Sequence, residues 1–308
     1  MGDKPRVEQG PNGRPRRRVA FVLGGGGVLG ASEVGMLQAL SDAGIRADLV
    51  LGTSIGAVNG VAYAADPEHA PKRLAELWTD LAETDEDNPF QGSLIGRIAT
   101  LARTRTAVHE HDGLRDLLVN ALPVTRFEDL EVPFQCVAAS IEQAKAVWFD
   151  SGDVIDPVLA SCSVPGLLPP VRIGDEHFYD GGLVHSIPVG RAIELGAERI
   201  FALHVGRVEA PLTVPEKPWQ VGLVAFEIGR RHRFHEEVDK APPGLVHVLP
   251  TGYEPLRYDD PRQLRYRSNA NVAERIEAAR EATATYLAFL DEPGDADDRV
   301  ARRGEGAD

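Results

Sequence analysis

The sequence predicts an α/β fold, and three observations carry the prediction. Val19 to Leu23 is a β-branched and apolar run that enters the glycine cluster Gly24-Gly25-Gly26-Gly27 and then a helical pattern from about Gly30. Leu49 to Leu51 repeats the arrangement, entering Gly52-Thr53-Ser54-Ile55-Gly56 and a second helical pattern from Ser54. Further short apolar runs follow at strand length, and no linker is long enough to split the core. Short strands alternating with helices are the pattern of an α/β domain.

Each element has its own support. The first helix carries Val34, Leu37 and Leu40 on one face, and Gly44 followed by apolar Ile45 reads as its C-terminal cap. The segment from Glu83 to Asp112, with Thr104, Thr106, His109 and His111, is charged and irregular, and reads as an insertion, either a lid over a site or a solvated loop. Strands are expected at Phe134 to Ala139, Ala146 to Phe149, Phe178 to Asp180, Ile200 to Val205 and Leu245 to Leu249. A last helix starting after Ser268 and ending near Leu290 places Val272, Ile276, Ala279, Thr283, Tyr286 and Leu290 at helical spacing. Residues 1–17 are basic and rich in Pro and Gly, and residues 292–308 are acidic; both read as disordered tails around one domain over 18–291.

Composition narrows the partners. With 33 basic against 47 acidic residues the net charge is −14, which argues against a nucleic-acid surface and against electrostatic docking on anionic lipid. Cys136 and Cys162 sit in apolar runs and read as buried free thiols. No Cys/His cluster has metal-ligand spacing, so neither a metal nor another cofactor is expected. Arg16-Arg17-Arg18 before Val19 resembles the start of an export signal, but glycines interrupt the apolar run after five residues, fewer than the roughly 7 a signal core needs. No segment approaches the roughly 20 apolar residues of a membrane span. A soluble cytoplasmic protein is the expectation.

The glycine turns suggest chemistry. Gly25 to Gly30 satisfies G-x-G-x-x-G, the dinucleotide-binding pattern, but that use needs an acidic residue at the far end of the second strand, and Asp48 stands at its beginning. The alternative is a turn that aims backbone N–H groups at a developing oxyanion, helped by the helix that follows. Gly52-Thr53-Ser54-Ile55-Gly56 mounts a serine between two glycines on a strand-to-helix turn, as a nucleophile requires. One chemistry accounts for both turns: acyl transfer through a serine ester. The base is open at this point. Asp180 with His185 or His204 would complete a triad, although His204 lies in an apolar run and also reads as a core histidine. Asp180-Gly181-Gly182 ends a short strand, so it reads either as a turn presenting a carboxylate or as an ordinary hairpin turn.

Taken together, Gly24 to Gly30, Gly52 to Gly56 and Asp180-Gly181-Gly182 resemble the three signature blocks of the patatin-like phospholipases, bacterial members especially. Gly35-Met36-Leu37-Gln38-Ala39-Leu40, Ser161-Cys162-Ser163-Val164-Pro165-Gly166 and the run from Pro188 through Gly196-Ala197 to Ile200 extend the resemblance over residues 18–205. It implies a three-layer α/β/α sandwich around a largely parallel sheet and hydrolysis of lipid acyl esters. It also implies Ser54 as nucleophile, Asp180 as its activating partner without a histidine, and an oxyanion hole at Gly25, Gly26 and Gly27. Two positions depart from it: Leu29 stands where the family usually has Arg or Lys, and Ser186 where it usually has Asn. Ser186 is expected to make a local hydrogen bond instead. A catalytically weak member that binds lipid or a partner is the second reading. Trp219, Val221, Leu223, Val224, Phe226 and Ile228, followed by Arg230 to Arg233, suggest either transient contact with a lipid interface or packing over the acyl pocket.

Overall fold

The structure, a computed structural model, describes residues 18–83, 111–205, 211–253 and 272–291. The two expected tails, most of the expected insertion and the residues around Ser268 lie outside the described residues.

β1 (Val19–Leu23) passes through a 3-10 turn at Gly27–Gly30 into α1 (Ala31–Asp42), and β2 (Leu49–Gly52) passes directly into α2 (Ile55–Ala65). After α3 (Ala70–Glu83) and α4 (Asp112–Ala121), β3 (Phe134–Ser140) and β4 (Lys145–Phe149) form a hairpin, followed by α5 (Ile155–Ser161). A second hairpin, β5 (Val171–Ile173) and β6 (Glu176–Asp180), leads to α6 (Val189–Glu194) and β7 (Arg199–Leu203). The described chain closes with α7 (Pro218–Asp239), β8 (Val246–Val248) and α8 (Val272–Asp291). Gly44 ends α1 as expected: its φ of +69° lets the Ile45 amide return to the Leu40 carbonyl at 2.9 Å.

The sheet order is β5-β6-β3-β2-β1-β7-β8, with β4 also paired to β3. β3, β2, β1, β7 and β8 are parallel, and β4, β5 and β6 are antiparallel additions. Side chains alternate between two helical layers. Phe21 and Leu23 face a core shared with α1, α2, α3 and α8, while Ala20 and Val22 face Val189 and Ala192 of α6 and Phe234 of α7. Burial on both faces is why β1 reads as a continuous apolar run. A fully buried side chain such as Phe21 or Phe201 contributes roughly 1.5 to 3 kcal/mol relative to exposure. The result is the three-layer sandwich with a largely parallel sheet.

One feature of register builds the site. β2 pairs with the first half of β3, ending at Gly52 opposite Cys136, whereas β6 pairs with the second half, ending at Asp180 opposite Ala138. Since β4 takes one edge of β3 from Cys136 to Ser140, β2 and β6 share the other edge and meet end to end. The residue two beyond Gly52 is Ser54, so the strand ends carry Ser54 and Asp180 toward one another.

Both thiols are buried and unpaired in a disulfide, as expected. Burial pushes the pKa of each thiol up, and at Cys162 the neighbouring Asp180 carboxylate adds to the effect. Neither should react with a thiol reagent at pH 8 in the native protein, and both should react in denaturant. Labelling of the folded chain by mass spectrometry is the check, and rapid native modification of either cysteine would contradict this packing.

Candidate active site

Ser54 sits at φ 55°, ψ −128°, a region rarely occupied by a residue with a side chain. Holding it there costs on the order of 1 to 3 kcal/mol. The surroundings that impose this are specific. A methyl at Gly52 would lie 2.5 Å from the Ala57 Cα, and one at Gly56 would lie 2.5 Å from the Leu23 carbonyl carbon, so the turn closes only with glycine at both ends. The Ser54 amide donates to Ser161 Oγ at 2.9 Å, and the Thr53 hydroxyl donates to the His185 carbonyl at 2.8 Å, pinning the elbow from two other segments.

Ser54 Oγ donates to Asp180 Oδ2 at 2.6 Å. The other carboxylate oxygen, Oδ1, accepts from the Gly182 amide, also at 2.6 Å. Asp180 is 4% exposed, and burial raises its pKa while the bonds from Ser54 and Gly182 and the charge of Arg230 oppose the rise, leaving it at about 6. A methyl at Gly181 would meet the Val137 carbonyl oxygen at 2.1 Å, so Asp180 is presented by a turn pressed against β3. This is a loaded carboxylate turn and not an ordinary hairpin.

The glycine cluster lies beside it, since a Cβ at Gly25 would be 3.2 Å from Ser54 Cβ. The Gly24 and Gly25 amides donate to the Leu203 and Ser186 carbonyls at 3.0 and 2.9 Å, whereas no acceptor for the Gly26 and Gly27 amides occurs among the described backbone groups. Leu29, the first departure from the resemblance, is fully buried. Ser186 corrects one expectation: its hydroxyl is buried with no partner among the described residues, and its carbonyl makes the useful bond.

The histidine candidates lie elsewhere. Burial pushes the pKa of His204 down to about 4, which marks the neutral core histidine that was one of its two readings. His185 faces Glu237 of α7 at 3.4 Å and packs on Trp148. His111, from the edge of the expected insertion, meets Ser163 Oγ at 2.9 Å, and the Ser163 carbonyl accepts from the Asp180 amide. Asp48 is tied to the Val19 amide at 2.9 Å, at the end of the sheet away from the glycine turns, where it could not hold a ribose beside them. No group of His, Cys, Asp and Glu able to hold a metal occurs among the described residues.

Several supporting residues had no distinguishing sequence signal. Asn59 Nδ2 donates to the Gly30 carbonyl at 3.1 Å and to Glu33 Oε2 at 2.9 Å, and its Oδ1 accepts from Trp78 Nε1. Glu33 is fully buried here, and burial raises its pKa well above the ordinary range. On α7, Glu227 accepts from both Arg230 and Arg231, and all three are buried. For Arg230 and Arg231 this agrees with the packed reading of the segment, one of its two readings. Phe226 is half-buried and its ring lies 3.7 Å from the place of a Gly182 Cβ, while the side chains of Trp219 and Leu223 lie outside the described residues.

The model of the family described as Patatin-like phospholipase matches residues 21–193. The chain belongs to that family. Among curated relatives, lysophospholipase nte1 of Emericella nidulans is 33% identical over 202 residues, covering 63% of this chain and 12% of that protein. Patatin-like phospholipase domain-containing protein 7 of Mus musculus is 31% identical over 199 residues, covering 63% of this chain and 14% of that protein. This patatin-like chain thus spans about an eighth of the length of those relatives. A solved structure, VipD from Legionella pneumophila, aligns over 92% of this chain and 70% of that one, at 15% identity and a TM-score of 0.47. The patatin-like match takes in both glycine turns and Asp180, and ends before α7, β8 and α8. No helix among the described residues is long and apolar enough to cross a membrane.

Proposed function

We propose that this protein is a serine acyl hydrolase that cleaves lipid acyl esters through a Ser54–Asp180 dyad. The observation that carries the reading is the 2.6 Å bond from a strained, buried serine to a buried carboxylate whose pKa stands at about 6. A carboxylate with an ordinary pKa near 4 is a weak base, and a raised value brings it toward the range in which proton transfer is effective near neutral pH. In this mechanism Asp180 accepts the Ser54 proton as Oγ attacks the ester carbonyl. The tetrahedral oxyanion rests on the Gly26 and Gly27 amides, with Gly25 anchoring the loop through Ser186, and the alcohol leaves with a proton returned by Asp180. Water, deprotonated by Asp180, then releases the acid and regenerates Ser54. No cofactor enters the scheme.

The names of the relatives support a lipid substrate, and a lysophospholipid is the first to try. Leu183 beside Gly182 is 44% exposed, and Val221 and Ile228 of α7 are 55% and 54% exposed, which supplies apolar surface for acyl chains or for transient contact with a lipid aggregate. Wild-type protein should be labelled at Ser54 by a fluorophosphonate and should hydrolyse a short-chain aryl ester, and the folded Ser54→Ala variant should do neither. Undiminished turnover in that variant overturns the proposal. Labelling without turnover on any acyl ester would select the catalytically weak binding member instead.

A further inference from the structure

Arg230 stands out among the groups the mechanism does not use. It is 8% exposed, its Nη1 donates to Glu227 Oε1 at 3.1 Å, and its Nε is buried with no partner among the described residues. The helix that carries it lies on the turn that holds Asp180: Phe226, one helical turn earlier, packs 3.7 Å from the place of a Gly182 Cβ, and the Gly182 amide is the one bonded to Asp180 Oδ1. A buried guanidinium is expensive unless anions face it. Arg230 also lies beyond residues 21–193, outside the part of the chain that the family pattern covers.

We propose that Arg230 is a positioning residue for the Ser54–Asp180 pair: from α7 it places a buried positive charge on the side of the turn that holds Asp180, and so favours the carboxylate form that accepts the Ser54 proton. This rests on the reading of Ser54 and Asp180 as a nucleophile and its base. The electrostatics agree with the geometry. Burial pushes Asp180 toward its neutral form; the bonds from Ser54 and Gly182 oppose it most, and Arg230 is the cation that adds to them. Among the described residues, the other titratable groups around the pair add no competing positive charge: His111, which meets Ser163 Oγ, is held toward its neutral form by burial. Cys162, at the end of α5, faces Asp180 as a neutral thiol. His204, at the end of β7, faces Arg230 as a neutral imidazole. Glu227 and Arg231 flank Arg230 on its own helix, and His185, in the turn after Asp180, is directed at Glu237.

Two readouts test this, one of them independent of turnover. In wild-type protein kcat/KM for a soluble aryl ester should fall below about pH 6. In Arg230→Met this acid limb should move up, by up to about one pH unit, with the smaller loss at pH 9, and Arg230→Lys should restore its position. Because Arg230→Met leaves Glu227 facing Arg231 alone, it could fail to fold; Glu227→Gln then serves, and should move the limb in the opposite direction. The second readout is the titration of Asp180 by carbon NMR of labelled aspartate, assigned with Asp180→Asn. A uniform loss of activity with the limb and the Asp180 titration unmoved overturns the assignment of Arg230. If no ester is turned over but the Asp180 titration still moves in Arg230→Met, the assignment stands and the hydrolase reading fails.

Discussion

Replacing Asp180 with Asn should lower kcat/KM by on the order of 10³- to 10⁴-fold and, at the same time, stabilise the fold at neutral pH. Asn fits the same space and its oxygen can still accept from the Gly182 amide, but it cannot take a proton from Ser54. The stability effect follows from the direction of the pKa shift. Native Asp180 has a pKa of about 6 against 3.8 for an ordinary aspartate, so between those values the native state holds more protons than the unfolded chain. The wild-type protein therefore loses stability as pH rises through that window, by roughly 3 kcal/mol at about 1.4 kcal/mol per tenfold change, and stays lower above it. The Asn variant carries no such penalty. Its melting temperature relative to wild type should rise between pH 4 and about 6.5 and then level off. A difference that does not change with pH, or activity close to wild type, would remove Asp180 from the proposed role.

The parts of the fold legible in the sequence were those where local chemistry allows few solutions. A serine at positive φ between a strand and a helix needs glycine on both sides, so Gly52 and Gly56 announced the elbow, and Gly44 announced the end of α1. The central strands were legible because burial on two faces makes them continuous apolar runs, and their limits shifted by only one or two residues: β7 stops at Leu203 and β8 spans Val246–Val248. The helix over Ile155–Ser161 was not legible, because seven residues, Asp156 and Pro157 among them, are too few to show a helical period. The meeting of Ser54 with Asp180 was legible only through resemblance. It depends on β2 and β6 dividing one edge of β3, a register spread over three distant segments. Arg230 was read only as part of a segment that either meets a lipid interface or packs over the acyl pocket. Glu227 at three and four residues before Arg230 and Arg231 was a visible signal for an internal ion-pair cluster, but spacing alone does not say which face of a helix is buried.

Gly56→Ala should be a strongly damaging single-methyl change outside the reacting groups. In an exposed helix the substitution would add about 1 kcal/mol of stability through helix propensity. Here the new carbon would stand 2.5 Å from both the carbon and the oxygen of the Leu23 carbonyl and 2.7 Å from the Gly24 oxygen. These are backbone atoms of β1 and of the glycine turn after it, fixed by the sheet ladder and by the Gly24 amide bond to Leu203, so no side chain can rotate away. Relief requires α2 to move off the sheet by about 1 Å, which drags Ser54 with it, because the Gly56 amide is bonded to the Thr53 carbonyl at 2.9 Å. Overpacking of this kind costs about 3 kcal/mol or more, a fall of roughly 5 °C in melting temperature for a chain of this size. A displaced nucleophile should slow fluorophosphonate labelling by about 100-fold. Gly60→Ala, one turn along the same helix, is the control: its methyl would meet Phe134 Cε2 at 3.1 Å and Val50 Cγ1 at 3.2 Å, side-chain atoms that can yield. It should change stability by no more than about 1 kcal/mol and leave labelling near the wild-type rate. Equal behaviour of the two variants would mean that α2 is free to slide on β1, and that the strain at Ser54 is not held in place by the contact at Gly56.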